Sequence, residues 1–86
     1  MPKIVKKMMV TNPEGLHARP ASQLVKKLSK FKSSVIIKYG NKAVNAKSVL
    51  SVITLGIDPG VEIEVIVEGD DAEDVIKVVE GVVSGE

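Results

Sequence analysis

The stretch VEIEVIVE, residues 61–68, decides the fold, because apolar and acidic residues alternate along most of its length. A period of two places the apolar side chains on one face of a β-strand and the acidic ones on the other. The apolar residues are Val61, Ile63, Val65 and Val67, and the acidic ones are Glu62, Glu64 and Glu68. Such a strand belongs to an antiparallel sheet with one buried and one solvated face.

Residue patterns predict six further elements around this strand. The predicted strands are 3–10, 34–39, 42–46 and 61–68, and the predicted helices are 18–30, 49–55 and 71–83. Residues 49–55 fit either a strand or a helix, and the flanking Ser48 and Gly56 favour a short capped helix. The order β-α-β-β-α-β-α predicts an α/β (α+β) fold, an open-faced β-sandwich in which three helices cover one face of a four-stranded antiparallel sheet.

Length and composition indicate one folded domain over residues 1–86. The chain is 44% hydrophobic and 27% charged, which is typical of a globular protein. It has no cysteine and one histidine, so disulfides and a thiolate or histidine metal site are not expected. Apolar runs are too short for membrane insertion, and no apolar segment of a signal peptide follows the first lysines. We therefore expect a cytoplasmic protein.

The net charge of +1 conceals an uneven distribution along the chain. Residues 1–57 contain eleven cations and one acid, Glu14, whereas residues 58–86 contain ten acids and one cation, Lys77. Two interpretations fit this distribution: strands from the two halves pair so that their charges meet, or a basic face binds acidic partners. Nucleic acid is not an expected partner, because Phe31 and Tyr39 are the only aromatic residues for stacking on bases.

The only histidine, His17, stands where the first helix begins. Proline is tolerated only in the first turn of a helix, so Pro20 places the helix start near His17. Gly15 permits a sharp turn just before it. His17 is therefore predicted at or beside the N-cap, with the unpaired amides of Ala18 and Arg19 near its ring.

This position suits reversible attachment of a phosphoryl group. The positive end of the helix disfavours imidazolium, so we expect a neutral, nucleophilic ring near pH 7. The free amides and the Arg19 guanidinium are suited to phosphate oxygens. A surface histidine without a role is the alternative interpretation. A Ser–His–acid triad is not indicated, because Glu14 is expected to be exposed in a loop and to point outward.

Two motifs resemble the histidine-containing phosphocarrier HPr of the sugar phosphotransferase system. They are GLHARP at residues 15–20 and KSVLSVITLGI at residues 47–57, and the resemblance extends from about residue 4 to residue 83. It implies the HPr type of open-faced β-sandwich. It also implies that His17 carries the phosphoryl group on Nδ1, with Arg19 as the family's active-site arginine and Pro20 as its helix-start proline.

The resemblance further implies a phosphocarrier rather than an enzyme with its own turnover. Family members accept phosphate from phospho-enzyme I, which phosphoenolpyruvate charges, and pass it to the IIA domains of sugar permeases. Ala18, Arg19 and Pro20 are the expected phosphate-binding residues, and no metal or organic cofactor is needed. We expect a monomer, because only one modest apolar patch is left exposed.

Ser48 is predicted to cap the second helix, with its hydroxyl accepting a hydrogen bond from a free amide. Similarity to HPr of Gram-positive type implies a second role, phosphorylation by an ATP-dependent HPr kinase/phosphorylase. That phosphate would slow transfer to His17 and create a surface for a transcriptional co-regulator. Capping alone is the competing interpretation, since other relatives carry a similar serine without this regulation.

Val49, Leu50 and Ile53 are predicted to form a docking surface for partner proteins. A two-turn helix buries only one side, so these three stay partly exposed if Val52 and Leu55 enter the core. Burial of all five residues in the core is the competing interpretation. Family members often have methionine at two of these places, and the stiffer Leu50 and Ile53 could change partner selectivity.

Lys26 on the first helix is a further docking candidate, although solvated lysines are more usual on such helices. Two other functions also fit the sequence. One is a regulatory paralogue that binds a partner according to its phosphorylation state, and the other is an interaction domain with an inert His17.

Overall fold

The computed structural model describes residues 1–86 and contains four strands and three helices in the predicted order. The strands are β1 (Lys3–Met9), β2 (Ser34–Tyr39), β3 (Lys42–Asn45) and β4 (Glu62–Glu68). The helices are α1 (Ala18–Leu28), α2 (Val49–Thr54) and α3 (Ala72–Ser84). The predicted element types are confirmed, and residues 49–54 of the ambiguous segment prove to be helical. None of the helices has the length and hydropathy needed to span a bilayer.

The strands form one antiparallel sheet in the order β1-β4-β2-β3. Strand β4 lies between β1 and β2, with Val67 opposite Ile4 on one side and Val35 on the other. Its alternating residues separate as predicted, since Ile63, Val65 and Val67 are buried and Glu62 and Glu68 are exposed. One face of the sheet is therefore buried and the other is exposed to solvent, and the open-faced sandwich is confirmed.

The helices cover the apolar face and supply much of a 21-residue core. Helix α3 buries an apolar stripe made of Val75, Ile76, Val79, Val82 and Val83. Helix α1 buries Pro20, Ala21, Leu24 and Leu28. Val25 and Phe31 follow the same helical spacing but are only half-buried, and Phe31 lies beyond the end of α1. Each fully buried valine or leucine contributes about 1.5–3 kcal/mol to folding.

Part of the charge asymmetry is explained by the pairing of basic and acidic strands. Lys3 and Lys7 of β1 lie opposite Glu68 and Glu64 of β4 in the sheet register. On the other side of β4, the Lys38 Nζ of β2 lies 3.8 Å from the Glu64 Oε1. Opposite charges facing each other across strands stabilise a sheet modestly, by about 0.2–1 kcal/mol per pair.

The Asp71 carboxylate at the start of α3 binds the backbone just before β2 through hydrogen bonds. Asp71 accepts hydrogen bonds from the backbone amides of Lys32, at 2.9 Å, and Ser33, at 3.0 Å, and from the Ser33 hydroxyl. The Ser33 hydroxyl and then the Lys32 amide hold the pKa of the Asp71 carboxyl below its usual range. Because its oxygens are used in this way, Asp71 stands at the N-cap of α3 without a side-chain capping bond.

Candidate functional site

His17 stands at the N-cap of α1, in an extended backbone conformation with φ −75° and ψ −162°. Its carbonyl accepts the first helical hydrogen bond, from the Ala21 amide at 2.9 Å. Pro20 has no amide hydrogen, and the amides of Ala18 and Arg19 have no partner within the protein. The helix thus begins where Pro20 indicated, and it points two free N–H donors outward beside the residue that precedes it.

The loop before His17 packs closely against the segment that follows α2. Gly15 has φ +62°, and a Cβ there would collide with the Ile57 carbonyl oxygen. The neighbouring Leu16, fully buried, donates its amide to that same carbonyl at 3.0 Å. Asn12 anchors the start of the loop by donating from Nδ2 to the Val82 carbonyl at 3.0 Å. Glycine is therefore needed at residue 15 for both its backbone conformation and this close approach.

This packing places an acid beside the histidine. The Nε2 of His17 lies 2.7 Å from the Asp58 Oδ1, with the two side chains 48% and 73% exposed. The Nδ1 of the ring makes no hydrogen bond. Sequence patterns pointed only to Glu14 as an acid near His17 and gave no sign of Asp58, because residues 41 positions apart share no local pattern.

Glu14 lies on the other side of the site and contacts Arg19. The Glu14 Oε1 is 3.7 Å from the Arg19 Nε, and both side chains are mostly exposed. Glu14 is exposed as expected, but its carboxylate is turned towards the arginine rather than away from the site. An ion pair as exposed as this one stabilises by about 1 kcal/mol or less, so an incoming phosphate can compete for the guanidinium.

The ring of His17 is presented on an open surface. None of the four surface depressions of the molecule is lined by His17, Arg19 or Asp58. A second protein can therefore approach the ring directly. The start of α1 and the Arg19 side chain border this open surface, and no pocket encloses it.

Ser48 is the N-cap of α2, as predicted. Its backbone is extended, with φ −116° and ψ 114°, and its Oγ accepts a hydrogen bond from the Ser51 amide. The distance of 3.4 Å is long for such a bond, so its contribution lies at the low end for a capping serine.

Helix α2 divides its side chains as predicted. Val52 and Leu55 are buried, Val49 and Ile53 are half-buried, and Leu50 is 77% exposed. The chain leaves this helix directly into the segment that contacts the His17 loop. The candidate docking residues and the candidate acceptor are thus carried by neighbouring parts of one surface.

Lys26 lies in the last turn of α1, exposed and without an ion pair in the chain. It is therefore available to an acidic partner. The structure brings His17, Arg19 and the two acids together, whereas Lys26 is nine residues further along α1 than His17.

Comparison with known proteins gives consistent matches over the chain. The family model described as "PTS HPr component phosphorylation site" matches residues 4–84. The phosphocarrier HPr of Bacillus anthracis strain Ames is 32% identical with a TM-score of 0.90, over 95% of this chain and 98% of that one. HPr-C-His of Thermoanaerobacter tengcongensis is 38% identical with a TM-score of 0.84, over 100% of this chain and 98% of that one.

A catabolite-repression protein of the same fold is also similar. Crh of Bacillus subtilis is 32% identical with a TM-score of 0.74, over 91% of this chain and 90% of that one. Its crystal structure is an intertwined dimer formed by domain swapping. The fold therefore occurs in at least one relative as a dimer.

Proposed function

This chain belongs to the HPr family of the phosphotransferase system (PTS), and we propose from this premise that His17 is the residue on which it carries a phosphoryl group. The family supports a PTS phosphocarrier role, that of a carrier rather than a catalyst. We infer that phospho-enzyme I supplies the group and that IIA domains of sugar permeases receive it, in the cytoplasm.

The observation that carries the assignment to His17 is its place at the start of α1. The ring lies at the positive end of the helix beside the unpaired amides of Ala18 and Arg19. Its Nδ1 is free of hydrogen bonds, and its surface is open to a partner. A phosphoryl group on Nδ1 would bring negative charge to these donors, which a helix N-terminus stabilises.

The chemistry needs no group beyond the ring and the donor protein. The Nδ1 lone pair attacks phosphorus, an N–P bond forms, and the bond from phosphorus to the donor's nitrogen breaks with its electron pair leaving on that nitrogen. The amides of Ala18 and Arg19 bind the phosphoryl oxygens, and the Arg19 guanidinium adds a charged donor once Glu14 is displaced. Pro20 contributes by fixing where the helix starts. The reverse steps deliver the group to the acceptor.

Docking is proposed to use the exposed side of α2. Leu50 is the most exposed of its apolar residues, and Val49 and Ile53 flank it. Lys26 supplies a cation that has no acidic partner within the chain. An apolar centre with a charged margin is typical of protein interfaces.

Phosphorylation of Ser48 by an HPr kinase/phosphorylase is proposed as the regulatory step. The capping bond of its hydroxyl is long, so modification disturbs little structure. A phosphate would add nearly two negative charges beside the apolar docking residues. We infer that this slows arrival of phosphate at His17 and offers a surface to a transcriptional co-regulator. Mass spectrometry after incubation with the kinase and ATP tests this, and an unmodified Ser48 contradicts it.

The decisive experiment is labelling with radioactive phosphoenolpyruvate and enzyme I. We expect acid-labile, alkali-stable phosphate on the wild-type protein and none on His17→Ala. The Ser48→Ala variant is the matched control and should be labelled normally. No label on the wild type would contradict the proposal and leave an interaction domain as the function.

We propose that the protein is a monomer, as its small apolar surface suggests. The swapped dimer of Crh shows that the alternative exists in a similar chain. Light scattering after size exclusion distinguishes the two masses, and a dimer at micromolar concentration would contradict this assignment.

A further inference from the structure

We propose that Asp58 is a positioning residue for His17, which keeps a proton on Nε2 and leaves Nδ1 as the only nucleophilic nitrogen. This inference rests on the proposed function and goes beyond it, because it assigns a role to a residue outside the two motifs. It starts from the 2.7 Å contact between the Asp58 Oδ1 and the His17 Nε2.

The backbone around Asp58 is fixed on both sides, so this contact is more than a chance meeting of two surface side chains. The preceding Ile57 accepts the Leu16 amide at 3.0 Å. Pro59 follows directly and restricts Asp58 to extended conformations. The Gly60 amide then donates to the Val10 carbonyl at 2.7 Å. The side chain at residue 58 is thus held beside that of residue 17.

The carboxylate selects one state of the ring. A neutral imidazole carries one N–H and one lone pair, and an ionised carboxylate only accepts hydrogen bonds. The contact therefore requires the hydrogen on Nε2 and places the lone pair on Nδ1. It also limits rotation of the ring, so that Nδ1 stays on the side away from Asp58.

The same hydrogen bond serves the phosphorylated ring. When Nδ1 bonds to phosphorus, the ring becomes cationic with its hydrogen still on Nε2, and Asp58 continues to accept from it. In the next transfer the N–P bond breaks, its electron pair returns to Nδ1, and a neutral imidazole leaves. If Nε2 had lost its proton, the ring would have to leave as an anion. Asp58 thus allows transfer in both directions without moving a proton.

The charge of Asp58 affects the rate of phosphoryl transfer less than the position of its carboxylate does. The carboxylate attracts the cationic ring, but it also repels a phosphoryl group that carries nearly two negative charges on the far side of that ring. These two effects oppose each other, and both side chains are well exposed. The expected contribution to the transfer rate is therefore about two- to five-fold, as for an exposed charge-assisted pair.

The first test is nitrogen and proton NMR of the imidazole in the unphosphorylated protein. We expect Nε2 to carry the hydrogen, slowed exchange of that hydrogen, and a Nδ1 shift typical of a lone pair. In Asp58→Ala the hydrogen should exchange faster and the tautomers should mix, and Asp58→Glu should restore part of the wild-type spectrum. Identical ring spectra for the wild type and Asp58→Ala would overturn the proposal.

The second test is the rate of phosphoryl transfer from the phosphorylated protein to a IIA domain, measured in single turnover. Asp58→Ala should be about two- to five-fold slower than wild type. The matched control is Asp70→Ala, which removes the same charge from a side chain without hydrogen bonds or ion pairs. Asp70 lies just before the first residue of α3, and Asn12 of the His17 loop contacts Val82 at the last turn of that helix. Asp70 is thus at the opposite end of α3 from the His17 loop.

The two proposals fail in different ways. If the wild type takes no phosphate from enzyme I, the function and the role of Asp58 are both overturned. If it is labelled but Asp58→Ala transfers as fast as Asp70→Ala, only the role of Asp58 is overturned.

Discussion

The Glu14 carboxylate lies 3.7 Å from the Arg19 Nε, so the arginine proposed to bind phosphate is already paired with an acid of its own loop. Both side chains are exposed, and the pair stabilises the protein by about 1 kcal/mol or less. Glu14 therefore competes with phosphate for Arg19 without holding it firmly.

Glu14→Gln should accelerate phosphorylation by phospho-enzyme I, because the incoming phosphoryl group no longer has to displace the Glu14 carboxylate from the Arg19 guanidinium. The gain should be about five-fold at most at low ionic strength and should shrink as salt is added. Rapid-quench kinetics measure it. Glu62→Gln removes an exposed acid from the sheet instead and serves as control. Equal rates for the two variants would show that Glu14 does not restrain Arg19.

Gly15→Ala should lower the free energy of unfolding more than Gly40→Ala. Both glycines have φ +62°, so both variants lose about 1–2 kcal/mol from backbone conformation. Only at residue 15 does the new Cβ meet a carbonyl oxygen, since nothing lies within 4 Å at residue 40. Overpacking adds about 1–3 kcal/mol. Urea unfolding of the pair measures the difference, and equal losses would argue against close packing on Ile57.

Ser48→Ala should lower the free energy of unfolding by about 0.5–1 kcal/mol, because the Ser51 amide loses its acceptor. Ser48→Asp should keep the stability, since an aspartate caps a helix and suits its positive end. The same variant imitates phosphoserine and should slow phosphorylation of His17, whereas Ser48→Ala should not. Urea titrations and the labelling assay provide both measurements. A stable but fully active Ser48→Asp would count against regulation at this residue.

Asp71 should make the stability depend on pH in the acid range. Its pKa is lowered in the folded protein, first by the Ser33 hydroxyl and then by the Lys32 amide. Its stabilisation is therefore complete above the unfolded pKa, near 3.8, and is lost as the pH falls through the lower folded value. The stability difference between wild type and Asp71→Asn should shrink over that range. A difference that stays constant from about pH 6 to pH 2 would contradict this linkage.

Leu50→Ser should weaken docking without unfolding the protein. Leu50 is 77% exposed, so the free energy of unfolding should change by about 0.5 kcal/mol or less. The KM for the protein in the enzyme I reaction should rise about five-fold, equivalent to about 1 kcal/mol of binding. Val5→Ser replaces an apolar residue 53% exposed on the open face of the sheet and should leave KM unchanged. An unchanged KM for Leu50→Ser would exclude this part of α2 from docking.

Local sequence rules determined the elements and one half of the candidate site. The alternation in residues 61–68 was sufficient for a sheet with one wet face, and Pro20 was sufficient to place His17 at a helix start. The caps of α2 were sufficient to choose helix over strand. Each of these rules acts over a few residues, where backbone geometry alone restricts the chain.

Only the tertiary structure decided which acidic side chains contact His17 and Arg19. Asp58 contacts His17 because the Leu16 amide is hydrogen-bonded to the Ile57 carbonyl. Asp71 contacts Ser33 because α3 starts beside β2. Residues that far apart in sequence are brought together by the packing of whole elements, which no local period records. Even Glu14, five residues from Arg19, depends on how its loop folds. The sequence alone was enough to place His17 at a helix start, and the folded chain added the carboxylates that contact His17 and Arg19.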